Sequence, residues 1–170
     1  MLRRDPLANP QPLIRRIYRY VSYRVGEGAE AEDITSEVFE RALRYRESYD
    51  SSRGDPAAWL IGIAQRCIAG ASRRPLVLDP EGAEKPAPGR MDEEVQQRLT
   101  LKAALATLGD RDQELLALRY GADLTARQIA DVLELKVNAV EVGLHRALAR
   151  LRENLESEGI GAATELLASL

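Results

Sequence analysis

Residues 124–155, LTARQIADVLELKVNAVEVGLHRALARLRENL, limit what this chain can fold into more than any other stretch. Thr125 is placed to cap a short helix, and Gln128, three positions on, completes the pattern of a capping box. Ile129, Ala130, Val132 and Leu133 give that helix an apolar side. Leu135 falls in a turn. A longer run then repeats apolar residues at Val137, Val140, Leu144, Ala147, Leu151 and Leu155, in steps of three or four. A short helix, a tight turn and a longer helix make a helix-turn-helix, whose second helix normally enters the DNA major groove. A helical hairpin that only packs would show the same periodicity, so the pattern alone leaves both readings open.

The rest of the composition narrows the function by exclusion. A length of 170 residues suits one domain or two small ones, and 45% hydrophobic residues is ample for a core. No run approaches the roughly 18 apolar residues of a membrane span. The first residues, MLRRDPLANPQP, lack the apolar stretch of a secretory signal, so a soluble cytoplasmic protein is expected. Cys67 is the only cysteine, which excludes an internal disulfide. His145 is the only histidine, which excludes clustered His/Cys metal sites. With no Gly-rich phosphate loop and no Gly-x-Ser-x-Gly elbow, no catalytic residue, cofactor or metal is expected.

Taken in order, Leu13 to Val25 reads as a first helix with Ile14, Ile17, Val21 and Val25 as its apolar stripe. Arg15, Arg16, Arg19 and Arg24 lie beside Tyr18, Tyr20 and Tyr23, and wrapping a helix edge explains most of those arginines. A second helix runs from about Glu30 to Arg46, with Ile34, Val38, Phe39, Ala42 and Leu43 inward and acids gathered toward its N-terminal end. That placement suits the helix dipole, and equally a basic partner. A polar loop, ESYDSSRGD, follows. Asp55 then caps a third helix with Pro56 in its first position, and this helix buries Trp59, Leu60, Ile63, Cys67 and Ile68 before Arg73 and Arg74. From Pro75 to about Asp92, prolines, glycines and acids read as a linker. Helices resume at about Glu93, Gly109 ends one, and Asp110 is placed to cap the next.

Two of these stretches resemble one family. AEDITSEVFERALRYRESYD and GDPAAWLIGIAQRC resemble region 2 of the bacterial RNA polymerase sigma factors of the extracytoplasmic-function group. ALATLGDRDQELLALRYGADLTARQIADVL and LHRALARLRENL resemble the start and end of its region 4. The resemblance implies an all-α fold: a region 2-like domain at 1–74, a flexible linker at 75–94, a region 4-like helix-turn-helix domain at 95–156 and a tail at 157–170. It implies core polymerase as a partner, through its flap and through largest-subunit clamp helices that would meet Asp33, Glu37 and Glu40. It implies promoter DNA as a second partner, and an anti-sigma protein as a further one. The minus-ten element would be read and opened by Tyr49, Ser52, Arg53, Arg66, Arg73 and Arg74, using flipped, stacked bases. The minus-thirty-five element would meet Arg119, Thr125, Arg127, Lys136, Asn138, Ala139 and Arg146.

The chain also departs from the family pattern. Glu141, Val142 and Gly143 stand where Lys, Ser and Arg are usual, Lys136 replaces a Ser/Thr cap, and Glu134 replaces the turn glycine. Like charge at Glu141 and the helix-propensity cost of Gly143, about 1 kcal/mol, would weaken DNA binding. Residues 101–170 hold 8 Lys/Arg against 11 Asp/Glu, although a DNA-reading face is expected to be basic. The leading expectation is a promoter-selecting initiation factor. A sigma-like regulator with weakened or altered promoter recognition is the second reading. An ordinary helix-turn-helix repressor or an enzyme is the third. The tail's Ala163, Leu166, Leu167 and Leu170 form an apolar side expected to dock on the second domain.

Overall fold

The structure, a computed structural model, describes residues 5–52, 54–72 and 93–157. Among them α1 is Pro10–Val25, α2 Ala29–Arg44 and α3 Pro56–Ala71. They are followed by α4 Glu93–Ala106, α5 Asp110–Leu116, α6 Ala126–Leu133 and α7 Val137–Ser157. No strand occurs among the described residues, so the all-α expectation holds. Apart from Glu93 and Glu94, which open α4, the expected linker lies outside the described residues, as do the tail beyond Ser157 and its expected docking.

Helix α1 starts earlier than expected, because Pro10 and Pro12 suit the first turn. Its buried face is Leu13, Ile17, Tyr20 and Val21, while Ile14 is 39% exposed. The expected stripe through Ile14 is therefore corrected. Helix α1 is covered from two sides, by α2 and α3 and by the turn after α5, and the second cover draws Tyr20 inward. In α2, Ala42 follows Val38 by four residues and takes the inward position. Leu43, expected inside, is turned outward and is exposed. Asp55 caps α3 as expected, its carboxylate accepting the Ala57 N–H at 2.9 Å with Pro56 behind it. At α5, however, the cap position is Gly109, and Asp110 is the first helical residue with no side-chain cap bond. An acid there still suits the helix dipole.

After Leu116 the chain widens into a π-helical turn, Ala117–Gly121, closed by the Ala122 N–H on the Ala117 carbonyl at 2.9 Å. The capping box at α6 is complete. Thr125 Oγ1 accepts the Gln128 N–H at 3.2 Å, and Gln128 Oε1 accepts the Thr125 N–H at 2.9 Å.

Two apolar cores result. The smaller joins Ala104, Leu105, Leu108, Leu116, Ala147, Leu151 and Leu155 from α4, the loop after it, α5 and α7. The larger is shared by both halves of the chain: Ile17, Tyr20, Val38, Leu60 and Ala64 pack with Leu115, Leu118, Leu124, Ile129 and Val140. The contact is close at Gly121, where a Cβ would lie 2.8 Å from the Tyr20 Cα. Only a residue without a side chain lets these two backbones approach so far.

Candidate functional site

The exposed surfaces follow from which faces the cores consume. Helix α7 spends Val140, Ala147, Leu151 and Leu155 on packing, which leaves one face of its first two turns outward. Lys136, Asn138, Ala139, Glu141 and Val142 are exposed there, and Arg146 lies one turn further on. Lys136, Asn138, Ala139 and Arg146 line one groove of about 520 Å³, together with Arg111, Arg150, Asp112, Leu115, Val142 and Gly143. The groove thus gathers four of the seven expected minus-thirty-five residues and Arg150, a further basic residue of the same half, and adds Arg111, which nothing in the sequence pattern singles out. Arg150 is held by an ion pair to Asp112, a buried carboxylate. Basic groups around an exposed helix start are what phosphate contact requires, and they locate positive charge that the net count of this half conceals.

The other three expected residues are placed differently. Arg127 is exposed on α6, outside this groove. Thr125 is engaged in the capping box. Arg119 Nη1 donates to the Leu124 carbonyl at 3.0 Å and so pins the loop before α6. The departures also gain a physical account. A Cβ at Gly143 would come within 2.7 Å of Leu115 Cδ1, so its absence lets α7 lie close on α5. Glu134 adopts left-handed backbone angles, φ 54° and ψ 42°, in the turn where glycine costs least.

On α2, Asp33 and Glu40 are exposed. Glu37 lies between them, half-buried, and accepts from Arg41 Nη2 at 2.6 Å. All three stay on the side of α2 away from Ile34, Val38 and Ala42. In the following loop Tyr49 is half-buried. Its hydroxyl donates to the Gly54 carbonyl at 2.9 Å, and its ring lies 5.5 Å from that of Trp59. Ser52 donates from its hydroxyl to Asp50. Arg66 is exposed on α3. Arg53, Arg73 and Arg74 lie outside the described residues.

One cluster has no counterpart in the sequence reading. Glu114, on α5, receives the Tyr20 hydroxyl at 2.8 Å and Gln65 Nε2 at 2.9 Å on one oxygen. Arg24 Nε lies 3.1 Å from the other oxygen. Beside it, Arg16 Nε donates to the Ala122 carbonyl at 2.7 Å and Arg19 Nη2 to the Tyr120 carbonyl at 2.6 Å. Burial, and secondarily the negative charge of Glu114, raises the Tyr20 phenol well above its ordinary value of 10.0, so it stays a neutral donor. Arginines expected to wrap a helix edge thus bind the opposite half of the chain. Nothing local in the sequence could mark Glu114, because its partners are about 50 to 94 residues away.

Comparison with known proteins gives two family matches: Sigma-70 region 2 over residues 11–74 and Sigma-70, region 4 over residues 104–153. The ECF RNA polymerase sigma factor ShbA of Streptomyces griseus is 31% identical over 162 residues, 87% of this chain and 84% of that protein. The ECF RNA polymerase sigma factor SigD of Mycobacterium tuberculosis is 31% identical over 173 residues, 92% of this chain and 78% of that protein. The ECF RNA polymerase sigma factor BldN of Streptomyces coelicolor is 32% identical over 151 residues, and the aligned part spans 84% of this chain and 57% of BldN. Among solved structures, CnrH in complex with the cytosolic domain of CnrY is similar in fold, with a TM-score of 0.63 at 19% identity, covering 89% of this chain and 85% of that one. No helix among the described residues is long and apolar enough to cross a membrane.

Proposed function

The chain belongs to the extracytoplasmic-function RNA polymerase sigma factors, and on that premise we propose how its surfaces divide the work of promoter-specific initiation. The chemistry of RNA synthesis is the polymerase's; this chain supplies the choice of start site, in the cytoplasm. The observation that carries the reading is the groove at the start of α7. It presents Lys136, Asn138 and Arg146 on an exposed helix beside Arg111 and Arg150. Placed in the major groove at the minus-thirty-five element, Asn138 reaches base edges and the four cations meet phosphates.

Asp33, Glu37 and Glu40 form the polymerase-docking face of α2. The Glu37–Arg41 pair within the helix opens as a basic surface replaces Arg41. The loop holding Tyr49 and Ser52, with Arg53, Arg66, Arg73 and Arg74, serves the minus-ten element. Tyr49 leaves Trp59 and stacks on a base as the strands part, which is worth about 1–3 kcal/mol per base. The units are a region 2 domain at 1–74, a linker at 75–94, a region 4 domain at 95–156 and a tail at 157–170. An anti-sigma protein is the third partner of this reading.

The test is core binding by the double variant Asp33→Lys plus Glu37→Lys. Asp33 is exposed and Glu37 gives up one i,i+4 pair with Arg41, a small loss, so circular dichroism of the variant should show the helix content kept, and its affinity for core polymerase falls at least about tenfold. Unchanged affinity in the folded variant would remove α2 from the interface.

A further inference from the structure

We propose that Val142 sets base choice at one position of the minus-thirty-five element, by packing on the C5-methyl group of a thymine in the major groove. The inference rests on the promoter-reading role given to α7 above and adds the chemistry by which that surface chooses a base. Val142 is 42% exposed, a large apolar side chain that neither core covers. Single exposed apolar residues are common on any protein surface, and Val137, at the start of α7, is such a residue, outside the groove. Val142 differs in its position. It lies one turn after Asn138 and one turn before Arg146, and all three line the groove together with Ala139. At about 100° per residue these side chains fall within about a third of the helix circumference, with Val142 near the middle. Polar side chains thus flank an apolar centre.

The surroundings fix where that side chain stands. The missing Cβ at Gly143 lets α7 lie against Leu115 of α5, and the Arg150–Asp112 ion pair ties the same two helices together two turns further on. A valine in a helix keeps essentially one side-chain rotamer, so its methyl groups are placed before DNA arrives. Val142 has no hydrogen-bonding side-chain group. Against it, a guanine, adenine or cytosine edge would lose water from a donor or acceptor and gain no partner. Thymine alone presents an apolar group in the major groove, its C5-methyl. The serine usual at this position in the family serves donors and acceptors alike, so the departure narrows the choice of base. Asn138 is suited to adenine, and four residues of helix rise by about 6 Å, close to two base steps. The thymine therefore falls within about two base pairs of that adenine.

The test removes the methyl group from either side of the contact. Core polymerase carrying the full chain first selects transcribed promoters from a library randomised at the minus-thirty-five element. In a selected promoter each thymine of that element is then replaced in turn by deoxyuridine, which lacks only the methyl group, and holoenzyme affinity is measured by competition. The wild-type chain is expected to lose about fourfold at one thymine, the value of one buried methyl group. Val142→Ser, folded because the residue is exposed, is expected to bind the thymine and deoxyuridine promoters alike, within about 1.5-fold. Val137→Ser, an equally peripheral change outside the groove, should keep the full wild-type penalty. An equal deoxyuridine penalty in wild type and Val142→Ser would overturn the assignment, since the methyl group would then act through DNA shape or another residue. A selected element with no deoxyuridine penalty at any thymine would also overturn it. Chain-dependent promoters with no base preference at the minus-thirty-five element would overturn the promoter-reading role of α7 itself, and the role of Val142 with it.

Discussion

Glu134 holds a left-handed backbone conformation, φ 54° and ψ 42°, that costs a residue with a Cβ roughly 1–2 kcal/mol. The turn tolerates it because the Leu135 N–H still reaches back to the Ala130 carbonyl at 2.9 Å and closes the end of α6. Glu134→Gly should therefore stabilise the fold by about 1 kcal/mol, raising the midpoint of thermal unfolding by about 2–4 °C. A lowered midpoint would show that the Glu134 side chain contributes more than its backbone strain costs. Tyr20 carries a second residue-scale expectation. Its folded phenol titrates well above the ordinary 10.0, first through burial and then through Glu114. The stability tied to its neutral form is fully present below pH 10.0 and is lost as pH rises through the folded value, because the unfolded chain releases the proton first. Tyr20→Phe should flatten the loss of stability seen on alkaline titration, and an unaltered alkaline limb would exclude this phenol as its source.

At the scale of elements, α6 and α7 depend on local signals. Thr125→Ala removes the side-chain half of the capping box, the hydroxyl that accepts the Gln128 N–H, and should cost about 1 kcal/mol, read as an earlier denaturation midpoint with unchanged slope. No loss would mean that tertiary packing of Ile129 and Ala130 alone holds α6 in place. Such local signals are why so much of the helix-turn-helix could be read from the chain alone. The Thr125–Gln128 spacing, the Asp55–Pro56 start of α3 and the three-four repeat of α7 each involve neighbours within four residues. The errors arose where distance in sequence is large. Ile14 fits the three-four repeat of α1 better than Leu13 and Tyr20 do, because periodicity shows a helix's stripe but not a second body packing at its flank. Gly143 reads as a defect in a recognition helix, and only the fold places Leu115 against it. Tyr49 has the residue type for base stacking, yet its ring meets Trp59 and its hydroxyl the Gly54 carbonyl. Its release is therefore part of the proposed strand-opening step, and Tyr49→Ala should lower permanganate reactivity of unpaired thymines more than it lowers core binding. Equal reactivity would make Tyr49 a packed loop residue.

Across the whole molecule, charge is arranged rather than merely summed. The chain has a net charge of −3, but its acids collect on α2 while cations gather at the start of α7 and along α1. The acids suit a basic protein surface and the α7 cations suit DNA. The α1 arginines are spent within the molecule, on Glu114 and on main-chain carbonyls of the opposite half. A chain divided in this way should bind duplex DNA weakly by itself and gain its promoter choice on the polymerase. Run-off transcription with reconstituted core polymerase measures this most directly, using a promoter library with and without the chain. A transcript from a defined subset of promoters, dependent on the chain and lost in Asp33→Lys plus Glu37→Lys, is the predicted result. Tight binding to duplex DNA in the absence of polymerase, with no chain-dependent transcript from any promoter, would contradict the account.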